Sequence, residues 1–285
     1  VNRYIGGANL TLKIYQTEPA SLQLVGRAGI DRYSLNTKAL FPRTLQFQKD
    51  GNGTNGASIQ GSATNNNANF NGFFVHSFFL PSGVSFRTQF GGTREEFRFN
   101  NILVTATELI GSQENVDQSG AVSVEQTRRN QTDMGFFVQE EVNWDDKVIA
   151  TLGLRGDKSS NNGDPNQLYY YPKASLALNL HEFGFLPDKL SQLKLRAAFG
   201  QAGNFARFGS TFTSLGNTII DGNAGSLINT LRGNNEVGPE RQTEIETGFD
   251  LGFNRGRYAL DFTYYVKSVA DLLINVNVPT TSGFT

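Results

Sequence analysis

Three pairs of adjacent carboxylates are the residues of this sequence whose types suit acid–base chemistry: Glu95-Glu96, Glu140-Glu141 and Asp145-Asp146. General acid–base catalysis needs two such groups that converge on one substrate bond. Adjacent residues of a β-strand point to opposite faces, so a pair such as Glu140-Glu141 cannot cooperate if it lies in a strand. The sequence contains no Gly-x-Ser-x-Gly elbow, no His-Glu-x-x-His and no phosphate-cradling glycine loop. We therefore expect a protein that is not an enzyme.

Metal and cofactor sites have little support in the composition. The chain has no cysteine and two histidines, His76 and His181, so thiolate sites are excluded and a histidine-based metal centre has few ligands. The segment 161–166 with Asp164 offers oxygen ligands of the kind that calcium prefers, but a solvated loop is the favoured interpretation. The net charge of −1 and the pI of about 6.2 imply no general attraction to nucleic acid. We expect no cofactor and no nucleic-acid partner.

Charged residues recur at every second position in the later half of the chain, on what alternation predicts to be one face of several strands. Polar side chains that share a face opposite an apolar one are typical of a barrel wall that lines a lumen. These predicted lumen-lining residues are Arg155, Lys194, Arg196, Glu244, Glu246, Asp250, Asp261 and Lys267.

The elements that position these charges are best seen in residues 243–266. Apolar and polar residues alternate on both sides of Arg255-Gly256, and period two predicts two strands joined by a two-residue hairpin loop. The predicted cross-strand neighbours are Phe253 with Tyr258, Leu251 with Leu260, Phe249 with Phe262, Ile245 with Val266, Glu244 with Lys267 and Asp250 with Asp261.

The same alternation recurs along the whole chain and predicts ten strands, with an eleventh beginning at Ile274–Val278. Short turns are expected near residues 17–20, 81–83, 145–147, 181–192 and 254–257. Long connections are expected near residues 33–69, 94–132, 158–167 and 202–238. His76 falls among phenylalanines, either near a lipid headgroup region or through a bulge that shifts the phase.

Strand length and connection length together favour a membrane protein. The strands run to ten residues or more, whereas a transmembrane strand needs about 9–11 and a strand of a soluble sandwich about 5–6. Short turns alternating with long connections match the periplasmic turns and extracellular loops of outer-membrane barrels. Trp144 and Tyr169-Tyr170-Tyr171, near strand ends, are expected to form interfacial aromatic girdles. The predicted fold class is all-β, an antiparallel up-and-down transmembrane β-barrel, partial, with ten to eleven strands.

Several segments over the last 120 residues resemble the barrel of SusC/RagA-type TonB-dependent outer-membrane receptors. The resemblance rests on the order and spacing of these segments more than on any single segment. The first 150 residues match the family only in their general sequence pattern. The segments are Tyr171-Pro172, Ala174-Ser175-Leu176-Ala177, Leu193-Lys194-Leu195-Arg196, Gly200-Gln201-Ala202-Gly203-Asn204, Pro239-Glu240, Thr243–Asp250, Tyr264-Tyr265, Asp271-Leu272-Leu273 and Pro279–Phe284.

The resemblance implies a nutrient importer of the bacterial outer membrane that carries oligosaccharides or peptides. It further implies surrounding lipid, a plug domain inside the barrel, the TonB complex as the source of energy, and a SusD-like surface lipoprotein as lid. Residues 1–285 would then form a single partial barrel domain, without the plug and the terminal strands, and the lumen-lining residues could contact the plug. Asn204, Phe205, Phe208 and Phe212 are candidates for ligand contacts from the loops, and packing within the loop is the alternative that the sequence does not distinguish from it.

Two alternatives stay open at this level. One is a siderophore-type TonB-dependent receptor, which would share the same barrel. The other is a soluble or secreted β-rich adhesive module whose apolar faces pack against a partner sheet. Dependence on detergent separates the adhesive module from either receptor, because only a receptor needs detergent or lipid to stay dispersed.

Overall fold

The computed structural model describes residues 1–45, 54–187 and 189–284, and these residues form twelve strands. Two short 3-10 helices lie at Leu180–Phe183 and Thr280–Ser282. The strands are β1 (Asn2–Gln16), β2 (Ala20–Phe41), β3 (Ala57–Phe79), β4 (Val84–Leu109), β5 (Ser119–Trp144), β6 (Val148–Ser159), β7 (Tyr169–Asn179), β8 (Leu190–Asn204), β9 (Leu215–Ile220), β10 (Asn223–Ile228), β11 (Glu240–Phe253) and β12 (Tyr258–Ala270).

Ten of the strands form one sheet in the order β1-β2-β3-β4-β5-β6-β7-β8-β11-β12. Neighbours in the sheet are neighbours along the chain, except that β9 and β10 form a separate two-stranded sheet between β8 and β11. This order confirms the predicted up-and-down fold and the ten predicted strands. None of the helical segments in the described part of the chain has the length and apolarity to cross a membrane.

The hairpin of β11 and β12 has the predicted register. All six expected pairs are observed, from Phe253 opposite Tyr258 to Ile245 opposite Val266. Pairing stops at Phe253, and Arg257 N donates to Asn254 O at 3.3 Å, so Arg255-Gly256 occupy the two central positions of the turn, as predicted. Asn254, Arg255 and Gly256 have positive φ angles of 54°, 58° and 77°. Only glycine adopts such angles without steric cost, so Gly256 is suited to this tight turn.

Two of the predicted long loops, 33–69 and 94–132, are mostly strand. β2 continues to Phe41, β3 begins at Ala57, β4 continues to Leu109 and β5 begins at Ser119. Residues 46–53 of the first predicted loop lie outside the described residues, as does Asp188 in the 181–192 connection. In these strand segments polar residues occupy both faces, as in Asn65-Asn66-Asn67 of β3, so no hydrophobic alternation marks them as strands.

Two further predictions about strands are wrong. The eleventh strand at residues 274–278 is not formed, and β12 ends at Ala270, followed by Asp271 with a φ of 56°. Conversely, the predicted loop 202–238 contains β9 and β10, joined by Asp221-Gly222 with φ angles of 49° and 78°. An Asp-Gly pair beside branched apolar residues is a strong hairpin signal, and Ile219-Ile220 precedes it here.

The chain divides into two compact units. Each of the strands β1 to β5 contributes one part to each unit. The first unit comprises residues 1–8, 28–70 and 95–132. Its buried residues include Ala57, Ser58, Ala106 and Leu109, and the Ser58 hydroxyl donates to the backbone oxygen of Glu114.

The second unit comprises residues 9–27, 71–94 and 133–285, and it contains all of β6 to β12. Within it, backbone hydrogen bonds join each short turn to the next hairpin of the sheet. The pairs are Phe79 N with Pro19 O (2.8 Å), Asp145 N with Gly83 O (2.9 Å), Asn179 N with Lys147 O (2.8 Å), and Asn254 N with Lys189 O (2.7 Å).

Aromatic side chains lie at both ends of the strands of the second unit. Trp144 ends β5 beside a short turn and packs edge-on against Phe183, with ring centroids 6.2 Å apart. Tyr169, Tyr170 and Tyr171 begin β7 at the end that follows a long connection. His76 packs edge-on against Tyr15 at 6.5 Å, a contact that the sequence pattern did not indicate.

Candidate functional site

The strand registers place all eight predicted lumen-lining residues on one face of the sheet. Lys194 lies opposite Asp250, Glu244 lies opposite Lys267 and also opposite Gly200, and Asp250 lies opposite Asp261. The registers of β8 with β7 and of β7 with β6 show that Arg155 lies on this same face. In the neighbouring strand β5, Phe137 lies opposite Arg155. Antiparallel pairing keeps opposed residues on one side of the sheet. We call this side the polar face and the other side the apolar face.

Arg196 is the centre of the charge network on the polar face. Its Nη2 donates to Asp261 Oδ1 and to Thr263 Oγ1, each at 2.6 Å. Asp250 Oδ1 lies 3.4 Å from the same nitrogen, and Glu246 Oε1 lies 3.9 Å from Nη1. One guanidinium therefore serves three carboxylates, which allows the like-charged pair Asp250 and Asp261 to lie directly opposite each other.

Gly248 explains how an arginine of β8 reaches β12. It lies in β11, directly between Arg196 and Thr263 in the register. A Cβ at this position would meet Arg196 Nε at 3.0 Å and would lie still closer to the backbone oxygen of Phe262. Because Gly248 has no side chain, the Arg196 guanidinium can cross β11 at this position and reach β12. Gly248 and Thr263 were not among the predicted site residues, although the predicted hairpin register places them opposite each other.

A second arginine on the polar face, Arg155, makes a similar set of contacts. Arg155 of β6 donates to both carboxylate oxygens of Asp157 at 2.8 Å and to Thr93 Oγ1 of β4 at 3.0 Å. A Cβ on Gly135 of β5 would collide with both the Asp157 carboxylate and the Arg155 guanidinium. Arg155 and Arg196 therefore each cross a glycine of the adjacent strand and reach a threonine.

The predicted loop residues separate into two environments. Phe208 and Phe212 pack edge-on with ring centroids 5.6 Å apart and remain about half exposed, at 51% and 48%. Phe205 is intermediate in exposure and precedes Ala206, which is 2% exposed. Asn204 instead donates through Nδ2 to Glu240 Oε2 at 3.1 Å.

Glu240 is a contact residue that sequence reasoning missed. Its Oε1 accepts a hydrogen bond from the backbone N–H of Leu273 at 2.9 Å, which ties the segment after β12 to the start of β11. This backbone hydrogen bond and the one from the Asn204 side chain lower the pKa of the Glu240 carboxyl. Glu240 lies beyond the roughly 9–11 residues, counted from the short turn, that a transmembrane strand requires.

The segment 161–166 is not simply a solvated loop. Asn161 and Asn162 are 6% and 4% exposed, and a Cβ on Gly163 would collide with the backbone oxygen of Asn235 in the loop that precedes β11. Asp164 Oδ1 accepts from the backbone N–H of Asn166, as in an Asx turn. Across the described ranges, histidine and acidic side chains form no group of three that could hold a metal ion.

The register also separates the Glu140-Glu141 carboxylate pair. Glu140 lies opposite Leu152 and Glu141 opposite Thr151, so the two carboxylates point to different faces, as expected. Asp145 and Asp146 lie in a turn with φ angles of 47° and 56°.

The comparison with known proteins agrees with this architecture. The family described as TonB-dependent receptor-like β-barrel matches residues 3–285. TonB-dependent receptor P26 of Formosa agariphila is 30% identical over 155 residues, which are 52% of this chain and 16% of that protein. TonB-dependent receptor SusC of Bacteroides thetaiotaomicron is 28% identical over 149 residues, or 48% of this chain and 15% of that protein. The matched segments thus span about one sixth of the length of these relatives.

Among solved structures, the fold is similar to a chain of the RagAB peptide transporter. The TM-score is 0.82 at 18% sequence identity, and the match covers 99% of this chain and 32% of the other. Identity at this level supports the fold alone. The family match over nearly the whole sequence, together with the ten-stranded up-and-down sheet, shows that this chain belongs to the TonB-dependent receptor β-barrel family.

Proposed function

We propose that the protein containing this chain is a SusC/RagA-like, TonB-dependent importer of oligosaccharides or peptides in the bacterial outer membrane. The observation that carries the proposal is a continuous sheet with one charged face and one face of exposed, large apolar side chains. Leu152, Ile245 and Phe262 of the apolar face are 65%, 57% and 52% exposed. A soluble protein rarely exposes so much contiguous apolar surface, whereas a barrel wall presents it to lipid.

In this proposal the polar face lines the lumen and contacts the plug domain. A plug held inside a barrel must be released or rearranged during transport, so its contacts with the wall should be polar and reversible. The Arg196 network fits this role because Asp261, at 70% side-chain exposure, keeps most of its carboxylate available to a partner.

The long connections contribute to ligand binding at the other end of the strands. The half-exposed rings of Phe208 and Phe212 offer a surface that either a sugar ring or an apolar peptide side chain can cover. Asn204 ends β8 and Phe205 begins the same connection, and both could contribute contacts after the loop rearranges around a ligand. The relatives named SusC and RagAB suggest the remaining partners, which are a SusD-like surface lipoprotein over these loops and the TonB complex acting through the plug.

Cysteine accessibility tests the assignment of the two faces, because the chain contains no cysteine. Thr151 and Leu152 are neighbours in β6 on opposite faces and form a matched pair. In native outer membranes, Thr151→Cys is expected to react with a small hydrophilic maleimide, whereas Leu152→Cys reacts only after the membrane is dissolved in detergent. Equal labelling of both, or recovery of the protein in a soluble fraction, would refute the membrane assignment.

Uptake measurements test the transport assignment. Cells that express the intact protein should accumulate a labelled oligosaccharide or peptide mixture, and accumulation should stop when TonB is deleted. Uptake that continues without TonB would show that the protein is not a TonB-dependent importer.

A further inference from the structure

In the parts of six strands nearer the short turns, the apolar face carries one charged side chain, whereas Lys158 of β6 and Arg241 of β11 lie on the same face further from those turns. These parts of the strands are residues 134–144, 148–156, 170–178, 193–201, 243–253 and 258–268, all within the described residues. Alternation and register assign every second residue of these ranges to the apolar face, and Glu140 is the single charged residue among them. Its cross-strand neighbour, Leu152, is 65% exposed, so the apolar side chains around Glu140 are not covered by the rest of the chain.

A hollow adjoins Glu140 on this face. It has a volume of about 470 Å³, and Pro172 and Ala174 are among the residues that line it. Val138, Leu152, Leu154 and Phe199 also line it, together with Gln139, Gly153 and Lys173, whose register positions belong to the polar face. This depression, lined in part by Glu140, has room for a side chain from outside the chain.

A carboxylate that faces lipid is costly unless it is paired. Ionisable residues in membrane-spanning segments are rare and are usually paired or turned away from lipid. Within the part of the chain that the structure describes, no cation forms an ion pair with Glu140, and the surrounding positions of the apolar face are uncharged. The compensating group must therefore come from another molecule or from a part of the protein outside the described residues.

The depth of Glu140 distinguishes the possible sources. Trp144 ends β5 beside the short turn, with Lys147 Nζ 5.8 Å from its ring centroid, as expected at a membrane interface. Glu140 is four residues further into the strand, which is about 13 Å along the chain and about 9 Å in depth for a strand tilted by 45°. A lipid amine stays in the headgroup region and does not reach this depth, whereas a lysine or arginine of a protein segment can.

We propose that Glu140 and the adjoining hollow form a docking site for a membrane-embedded protein segment that carries a lysine or arginine. The cationic side chain enters the hollow and pairs with the Glu140 carboxylate, while the apolar residues beside it cover Val138, Leu152 and Leu154. This inference rests on the apolar face lying against lipid, as proposed above.

Photo-crosslinking in native membranes tests the proposal. A photoreactive phenylalanine analogue is placed at Leu152 of the intact protein, and the cells are irradiated before the outer membrane is isolated. The expected product is an adduct with a second protein, and the cross-linked peptide lies in a membrane-spanning segment and contains a lysine or arginine. An adduct with lipid alone, with another copy of the same protein, or with a peptide lacking a cation would overturn the proposal, as would the absence of any adduct.

Glu140→Gln and Glu141→Gln are matched variants that test the role of the charge. Each removes one carboxylate, and the two residues are adjacent but lie on opposite faces. Losing the ion pair should reduce the adduct yield about tenfold in Glu140→Gln, since each 1.4 kcal/mol changes an equilibrium tenfold. Glu141→Gln should leave the yield unchanged, and equal yields in the two variants would overturn the proposal. If Glu140→Gln fails to insert, the identity of the wild-type peptide still decides the question.

The same membranes separate the two proposals. A protein that is absent from the outer-membrane fraction would refute the proposed function. A protein that is present there but forms no protein adduct at Leu152 would refute the docking site alone.

Discussion

Replacing Gly248 by alanine should destabilise the barrel wall, because two groups occupy the space that its Cβ would need. The new carbon would lie 3.0 Å from Arg196 Nε and closer still to the backbone oxygen of Phe262. Arg196 could move, but the backbone oxygen is held by the pairing of β11 with β12. Forcing an extra carbon into a packed position costs about 1–3 kcal/mol.

Gly200 provides the control for this prediction. It lies on the polar face opposite Glu244, in the interior of β8, and a Cβ there would meet no atom within 4 Å. Gly200→Ala should therefore stabilise the fold by about 0.4–1 kcal/mol, because alanine restricts the unfolded chain. The two substitutions make the same chemical change on the same face and should have opposite effects.

The assay is the resistance of the folded barrel to unfolding in dodecyl sulfate, measured on the intact protein as the temperature at which its gel mobility changes. Gly248→Ala should lower that temperature and Gly200→Ala should leave it equal or higher. In an Arg196→Ala background most of the cost of Gly248→Ala should persist, because the backbone oxygen is the nearer obstacle. Equal shifts for the two glycines, or complete rescue by Arg196→Ala, would refute the reasoning.

Three further predictions follow from contacts described above. Arg196→Met should cost about 0.5–2 kcal/mol in the same unfolding assay, since its ion pairs are partly exposed, and the cost should shrink in 1 M salt, where screening is strong. The pKa of Glu240 is lowered from 4.5, so its contribution to stability is present above that value and is lost as the pH falls through the lowered pKa. Hydrogen exchange at the Leu273 amide, corrected for intrinsic rates, should report this loss and should show no such dependence in Glu240→Gln. Gly83→Ala, at a φ of 78°, should cost about 1–2 kcal/mol, whereas Gly72→Ala, which meets open space, should not.

The sequence was sufficient to predict strands and their register where one face of a strand is apolar and the other is polar. The pairing of Phe249 with Phe262 and of Glu244 with Lys267 could be predicted because a slip by one residue would exchange the two faces. The same rule places Arg155 and Lys267, which are far apart in sequence, on one face.

The sequence was insufficient where both faces are polar. In the extended parts of β3 and β5, residues such as Asn66 and Arg128 lie in strands although no periodicity identifies them. Backbone pairing with the neighbouring strand stabilises such segments, and this pairing cannot be predicted from amino-acid composition. The opposite error occurred at Ile274–Val278, where apolar alternation predicted a strand that is not formed.

The candidate site could be predicted only in part. Alternation identified the charged residues of the polar face but not their partners, because the reach of Arg196 depends on the absence of a side chain at Gly248. Glu240 was missed because its role depends on an N–H from Leu273, 33 residues away in sequence.

The hydrogen bonds that join the short turns have a consequence for engineering. An epitope tag or fluorescent domain inserted between Pro81 and Gly83 would displace Gly83 from Asp145 and disturb two hairpins at once. The tip of the β9–β10 hairpin, at Asp221-Gly222, belongs to a sheet of its own, and a Cβ on Gly222 would meet no neighbouring atom. Reporters for surface display therefore belong at that tip, because insertions at the linked short turns would disturb their hydrogen bonds.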